Sequence, residues 1–276
     1  MTQLSTARPS AAQYYAAIES GAAAIADLVA AGDLARPIPT CPDWTLRELA
    51  VHVGRVHRWA AQITATRADQ PPEFRSLPDG RFPGEPAGQA EWLAGGARRA
   101  VAAIEEAGQD PVWASGARSR LPASFWGRRM CHETLVHAAD ARLAAGLAPA
   151  EIPPAVAADG IDEWLTVMMP PPPGQADPRA HVLGAGAALH VRTTDMTGPG
   201  PGEWVIRHGT GGVNVIRLAG SGGTGAAGHA RGDVVVAGPA AALLLVLLRR
   251  LAPQDAPVAV TGDRAVLERW LAGSRF

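Results

Sequence analysis

The sequence predicts an all-α domain followed by a smaller α+β domain. In the first part of the chain, apolar residues recur at helical spacing over several long segments. Consecutive prolines from Pro170 to Pro173 and then Gly174 support neither a helix nor a central strand, and they mark the predicted boundary. Beyond it, short apolar segments separated by glycine-rich turns indicate strands with helices among them. We therefore assign residues 1–169 to the helical domain and residues 175–276 to the α+β domain.

Start signals and breaks define the helices of the first domain. Thr45 and Glu48 form a capping-box pattern at the start of the second helix. Residues 69–88 are rich in proline and glycine, and loops of this length tend to be lids or binding loops. The arginines of this loop, Arg75 and Arg81, are candidates for contact with an anionic substrate, although loop charges are more often simply solvated. Helices are predicted at residues 10–31, 46–67, 89–107, 124–146 and 154–169.

The second domain has a different sequence pattern, in which glycine-rich turns separate runs of β-branched residues. Its longest apolar run, residues 240–248, is too short to cross a bilayer, so no membrane association is expected. Strands are predicted at residues 181–194, 203–208, 212–218, 233–237 and 258–261, and helices at residues 239–251 and 264–272.

The composition excludes several classes of function. The formal charge is -1, whereas nucleic-acid-binding domains usually carry a basic stripe, so nucleic acid is not an expected partner. Lysine is absent from the sequence, which excludes Schiff-base catalysis and a P-loop. The cysteines Cys41 and Cys131 are too few for a disulfide framework or a cysteine-based zinc site. The N-terminus lacks the apolar segment of a signal peptide, and we expect a cytoplasmic protein.

One stretch of the fourth helix carries the strongest chemical signal. Glu133 and His137 lie one helical turn apart and therefore stack on one face. On a helical wheel both fall on an arc with the apolar Trp126 and Met130, so we expect them to face inward. His52 occupies the apolar arc of the second helix in the same way. An inward glutamate is costly unless its charge is paired or bound to a metal.

Geometry alone leaves two interpretations of this trio open. A metal site made of two histidines and one carboxylate would explain why His52, Glu133 and His137 all face the core. A buried, hydrogen-bonded glutamate–histidine pair would explain Glu133 and His137 as well, and a lone inward histidine is more often a satisfied core residue. His132 fits neither interpretation. Together with His137 it resembles the HExxH zinc motif, but the longer spacing separates the two side chains by about 140° on a helix.

Two segments around these residues resemble the mycothiol-dependent maleylpyruvate isomerase family. Cys41–His52, which reads CPDWTLRELAVH, is similar to the family's PxWTvxdLxxH motif. Arg128–Ala141, which reads RRMCHETLVHAADA, is similar to its RRxxHExxVHRxDA motif. The resemblance covers nearly the whole chain, because pieces of the second domain are similar to the family's C-terminal domain. These pieces are Leu189–Asp195, Gly202–Trp204, Val236–Ala240 and Thr261–Asp263.

The resemblance implies an N-terminal DinB-like four-helix bundle that carries a divalent metal, usually zinc, and a C-terminal sterol-carrier-like domain. By motif position, the implied metal ligands are His52, Glu133 and His137. Mycothiol is the implied co-substrate, and the motifs assign neither catalytic nor mycothiol-binding residues. The family often has an arginine after the second histidine, where this chain has Ala138.

The implied function is that of a metal- and mycothiol-dependent isomerase or S-transferase. Its substrate would be small, electrophilic and carboxylate-bearing, such as maleylpyruvate. With only those side chains as ligands, the metal keeps an open position at which a thiol would lose its proton. A carboxylate would need an arginine partner, for which Arg81 and Arg207 are candidates. Two other functions stay open, namely non-enzymatic binding of an apolar ligand and metal-dependent hydrolysis. The expected partners are the substrate and the thiol, and the expected state is a monomer or homodimer.

Overall fold

The computed structural model describes residues 8–117, 119–170, 182–184, 186–196, 202–209, 212–218 and 232–274. Two compact units divide the chain: the first is formed by Ser10–Glu151, and the second by the residues from Ile152 onward, together with Arg8 and Pro9 among the described residues. The first unit is helical and the second combines helices with a sheet, so the predicted fold class is confirmed. Among the described residues, no helix is long and apolar enough to cross a membrane.

The first unit is a bundle of four helices in which every pair of helices is in contact. Capping boxes at Ser10 and Thr45 start the first two helices, as the sequence predicts for Thr45. The third begins earlier than predicted, with Pro86 at its first position, where a proline is tolerated because that N–H has no helical partner. The helices are α1 (Ala11–Ala30), α2 (Leu46–Ala65), α3 (Pro86–Ala107) and α4 (Ser124–Ala144), and a short hairpin of β1 (Pro111–Val112) and β2 (Leu121–Pro122) joins the last two.

The core of the bundle is built from small and aliphatic side chains, which lets the helices approach closely. Ala138 and Ala141 of α4 pack into the cluster that also holds Leu49 of α2 and Leu93 of α3. At the contact between α2 and α3, Gly54 lies so close to the Trp92 ring that a Cβ at this position would overlap the ring. This packing fixes the relative positions of α2 and α4, from which the candidate site is built.

The second unit begins with α5 (Pro154–Glu163), which continues as a π-helical turn, Trp164–Met168. Its sheet has the order β5-β4-β3-β6-β7 among the described residues, in which the β3–β6 pair is parallel and the other three pairs are antiparallel. The predicted strand at 181–194 is shorter in the structure, and residues 181 and 185 lie outside the described residues. The elements are β3 (Ala188–Thr193), β4 (Glu203–Gly209), β5 (Gly212–Arg217), β6 (Val234–Gly238), α6 (Ala240–Leu247), β7 (Ala259–Gly262) and α7 (Arg264–Gly273).

The boundary between the units differs from the one expected at the proline run. The chain divides between Glu151 and Ile152, so α5 belongs to the second unit rather than to the helical one. α5 packs against α6, and its buried Asp162 accepts hydrogen bonds from Trp204 and Arg217 of the sheet. A run of prolines marks a stiff stretch of chain, whereas the division follows the tertiary contacts of α5, which the sequence pattern does not reveal.

Candidate metal centre

Helices α2 and α4 bring the three predicted residues together. His52 Nε2 lies 2.8 Å from Glu133 Oε1, and His137 Nε2 lies 3.4 Å from the same oxygen. Each residue offers one ligand atom to a group whose members all lie within 4.8 Å of one another. The side chains are 30%, 19% and 11% exposed for His52, Glu133 and His137 respectively, so the trio lies at the edge of the core rather than deep inside it.

The donor set fits a divalent metal. Two imidazole nitrogens and one carboxylate oxygen that converge on one point are ligands that zinc accepts in catalytic sites. The same contacts also form a hydrogen-bonded cluster of one glutamate and two histidines, which is the alternative that the sequence left open. The partners of His137 and Glu133 outside the trio bear on the choice between the two.

Asp140 holds the other ring nitrogen of His137. Its Oδ2 accepts a hydrogen bond from His137 Nδ1 at 2.9 Å, and the carboxylate is completely buried. Thr40 donates to its Oδ1 at 2.6 Å, and Cys41 Sγ lies 3.7 Å from Oδ2. Histidines that bind a metal typically donate their other ring N–H to a carboxylate, which fixes the orientation of the ring and its tautomer. Asp140 is absent from the residues predicted for the site, although its spacing from His137, one turn along α4, was a signal for this contact.

Arg129 is a second residue that the sequence analysis missed. It forms an ion pair with Glu133 Oε2 from the preceding turn of α4, which leaves Oε1 to face the two histidines. Burial raises the pKa of Glu133, but the charge of Arg129 and the hydrogen bonds to His137 and His52 outweigh it and hold the pKa well below its usual range. Glu133 is therefore a carboxylate at neutral pH.

His137 is electrostatically coupled to both neighbouring carboxylates. Burial lowers its pKa, but the hydrogen bonds to Asp140 and Glu133 outweigh this effect and raise the pKa to about 9. A negative environment of this kind also suits a bound cation, since a cation takes the place of the proton.

Trp44 packs against the two histidines. Its ring centroid lies 4.8 Å from that of His52 and 5.6 Å from that of His137, and the two imidazoles are 5.0 Å apart. Trp44 immediately precedes Thr45, the N-cap of α2, so the cap that starts the helix also places the indole.

Comparison with known proteins identifies the family. Residues 15–142 match the model of the mycothiol maleylpyruvate isomerase N-terminal domain, and residues 155–269 match the model of the C-terminal domain of the same family. The chain belongs to the mycothiol-dependent maleylpyruvate isomerase family. None of the curated proteins compared with it matches significantly.

Solved structures of this family share the fold. The chain is 15% identical to a mycothiol-dependent maleylpyruvate isomerase with a TM-score of 0.55, over 92% of this chain and 95% of that one. A histidine-to-alanine mutant of the mycothiol-dependent maleylpyruvate isomerase gives 14% identity, the same TM-score and the same coverage. At these identities the likeness concerns the fold, and the residues of this chain must carry the argument on chemistry.

The other two histidines of the helical bundle, His57 and His132, lie outside the candidate metal centre. His57 is fully buried, and its Nε2 lies 2.8 Å from Thr134 Oγ1. His132 is also buried and packs edge-on against Tyr14, with ring centroids 6.0 Å apart. His132 lies on a different face of α4 from His137, as the helical wheel predicts. It is nevertheless buried, because α4 is covered on most of its faces.

An open cavity of about 570 Å³ adjoins the candidate centre, with His52 and Trp44 in its wall. This volume is in the range of small-molecule sites. Residues of the long loop between α2 and α3 also line this cavity, and they include Arg81 but not Arg75. Arg207, the other arginine candidate, lies on β4 in the second unit. The lining residues are Trp44, Arg47, Glu48, Val51, His52, Arg55, Phe74, Arg81, Phe82 and Gly84.

Proposed function

We propose that this protein is a metal- and thiol-dependent enzyme that acts as an isomerase or S-transferase on a small, electrophilic, carboxylate-bearing substrate. The observation that supports this most is the convergence of His52, Glu133 and His137 beside an open cavity. A binding module for an apolar ligand gains nothing from a carboxylate held there, because burying a charge costs free energy that apolar binding does not return.

The proposed metal ligands are Nε2 of His52, Nε2 of His137 and Oε1 of Glu133. Held by these three residues, a divalent ion such as Zn²⁺ would lower the pKa of a coordinated thiol and so make the thiolate of mycothiol available at neutral pH.

The surrounding residues keep the three ligands in place. Asp140 holds the proton of His137 on Nδ1, so that Nε2 presents its lone pair to the centre. Arg129 occupies Oε2 of Glu133 and orients Oε1 toward the histidines. Trp44 packs against both imidazoles.

The reaction itself is addition of a thiolate to an electrophilic double bond. The new carbon–sulfur bond uses the sulfur lone pair, the former double bond becomes a single bond about which the substrate rotates, and the carbanion charge is delocalised into the adjacent carbonyl. In an isomerase, elimination of the thiolate restores the double bond in the trans geometry and regenerates the thiol. In an S-transferase, the carbanion takes up a proton and the thioether leaves as the product.

The test is turnover of maleylpyruvate by the purified protein with and without mycothiol, with the products followed by NMR. We expect conversion only in the presence of the thiol. A trans alkene with unchanged thiol concentration identifies the isomerase, and a thioether formed with stoichiometric thiol consumption identifies the transferase. Turnover that proceeds equally well without thiol would contradict the proposal and favour a metal-dependent hydrolase.

A further inference from the structure

Three arginines gather around one short segment of the long loop in the helical unit. The guanidinium of Arg47 lies over the Phe82 ring, 5.2 Å from its centroid, and Arg55 Nε donates to the carbonyl of Gly80 at 3.0 Å. Arg81 lies between these two contact points in the chain. All three arginines line the cavity that also contains His52. Through these contacts with the loop, the guanidinium groups of Arg47 and Arg55, from two separate turns of α2, lie at the cavity wall beside the candidate metal centre.

The positive charge of this wall is not balanced within the described part of the chain. Glu48 is the one acidic residue among those lining the cavity, and its carboxylate accepts a hydrogen bond from the backbone N–H of Thr45 as part of the capping box. Among the described residues, Arg47, Arg55 and Arg81 form no ion pair with a carboxylate. Other arginines of the same unit do form such pairs, namely Arg36 with Asp33, Arg98 with Glu91 and Arg99 with Asp79.

The shape and surface of the cavity limit which anion it could hold. Val51, Phe74 and Trp44 give it apolar walls, and its volume of about 570 Å³ suits a small molecule rather than a peptide or a polymer. Guanidinium groups match carboxylates in geometry as well as in charge, since they can donate two parallel hydrogen bonds. The excess of positive over negative lining charges is two, which matches a dianion.

We propose that Arg47, Arg55 and Arg81 bind the carboxylates of a short dicarboxylate, and that this contact selects the substrate and holds its double bond beside His52. This assignment rests on the function proposed above and adds the residues that determine specificity for the substrate. Arg81, which the sequence offered as a candidate, is one of them, and Arg47 and Arg55 are additions that only the path of the loop reveals.

The test is the equilibrium binding of maleate to the metal-containing protein, measured by isothermal titration calorimetry without thiol. Maleate carries two carboxylates across a double bond and needs no chemistry in order to bind. We expect Arg47→Gln, Arg55→Gln and Arg81→Gln each to weaken binding about 10-fold, because each loses a charged hydrogen bond in a partly exposed site. Arg98→Gln is the matched control, since Arg98 is an exposed arginine that pairs with Glu91 outside the cavity, and it should bind maleate as the original protein does. Metal content and thermal unfolding are measured for every variant.

Several results would overturn the assignment: no binding of maleate, maleate binding that is equal in the arginine variants and the original protein, or sulfate binding as tightly as maleate. Equal binding in all variants would place the carboxylates at the metal instead, and equal binding of sulfate would indicate an unselective anion site. Because the binding measurement contains no thiol, the binding test and the turnover test can fail independently of each other. If maleate binding depends on the arginines but turnover does not depend on thiol, the subsite is supported and the proposed function is refuted. If turnover depends on thiol but maleate binding does not depend on the arginines, only the subsite is refuted.

Discussion

His137 Nδ1 donates a hydrogen bond of 2.9 Å to the carboxylate of Asp140, a completely buried group on the next turn of α4. The same carboxylate accepts a hydrogen bond from Thr40, in the segment that leads into α2. One acidic side chain therefore fixes the ring of His137 and also ties the start of α2 to α4. A buried carboxylate is costly unless its lone pairs are used, and here both oxygens have donors.

Replacement of this carboxylate should weaken metal binding. In the variant Asp140→Asn, the side chain keeps its size but loses the charge that orients and polarises His137. We expect metal affinity to fall by about 10- to 100-fold, as is usual when the partner of a ligating histidine is lost. Competition with a chromophoric chelator at constant pH measures the affinity. Asp33→Asn is the control, since Asp33 is an exposed aspartate paired with Arg36, and it should bind metal normally. Unchanged affinity in Asp140→Asn would contradict the supporting role assigned to this carboxylate.

The ligand trio itself predicts a definite metal stoichiometry. The purified protein should carry about one divalent ion per chain, and His52→Ala and His137→Ala should each lose it, because two remaining protein ligands bind zinc weakly. Elemental analysis of the purified proteins after dialysis measures this. His132→Ala is an informative control, because His132 would be a ligand only if the HExxH-like spacing mattered. It should keep the metal, whereas full retention in both other variants would favour the hydrogen-bonded cluster.

How far the sequence predicts this site depends on the kind of contact. Glu133 and His137 lie one turn apart on a helix, and helical periodicity is regular enough to place both of them and His52 on inward arcs. Asp140 lies near the edge of that arc, and whether a side chain at an edge turns inward depends on its rotamer and on neighbours such as Thr40. Thr40 lies outside any helix, and no periodicity describes it.

The grouping of Arg47, Arg55 and Arg81 at the cavity wall could not be predicted, for a related reason. A helical wheel places Arg47 and Arg55 on the polar side of α2 and says nothing about what covers that side. The cover is residues 74–84 of the long loop, whose path is set by tertiary contacts such as the hydrogen bond from Trp92 Nε1 to the Asp79 carbonyl, 2.8 Å long. Composition alone indicated a binding loop, but only its path shows which arginines it gathers.

The contact between α2 and α3 predicts opposite effects for two glycine substitutions. Gly54→Ala should lower the free energy of unfolding by roughly 1–3 kcal/mol, because the new Cβ overlaps the Trp92 ring and the cost of overpacking exceeds the gain in helix propensity. Gly95→Ala is the matched control within α3, where a Cβ would meet only the ends of Glu91 and Arg98 at 3.3 and 3.8 Å. It should raise stability by up to about 1 kcal/mol. Denaturant unfolding of both variants measures the difference, and equal effects would contradict the packing described.

His57 provides a prediction on pH at a residue outside the candidate ligand set. Its Nε2 donates to Thr134 Oγ1, whose own hydrogen goes to the Met130 carbonyl. Burial lowers the pKa of His57 to about 4, and the nearby charge of Glu133, which raises the pKa, does not compensate. Arg58 and His52 act in the same direction as burial. The imidazole is therefore neutral in the folded protein well below neutral pH.

The folded bundle should consequently lose stability as the pH falls from 6.5 toward 4. Above the usual pKa of 6.5, His57 is neutral in both states and contributes no pH dependence. Below it, the unfolded chain takes up a proton that the folded protein does not bind, so unfolding is favoured until the pH reaches about 4. Between pH 7 and pH 5 this amounts to about 2 kcal/mol, since one pKa unit corresponds to about 1.4 kcal/mol. His57→Gln keeps a hydrogen-bond donor for Thr134 but cannot titrate. Between pH 7 and pH 5, the free energy of unfolding of this variant should therefore fall by about 2 kcal/mol less than that of the original protein. Urea unfolding of both proteins at the two pH values, with chelator present throughout, measures the difference. Identical pH dependence in the two proteins would show that the buried imidazole is not the group responsible.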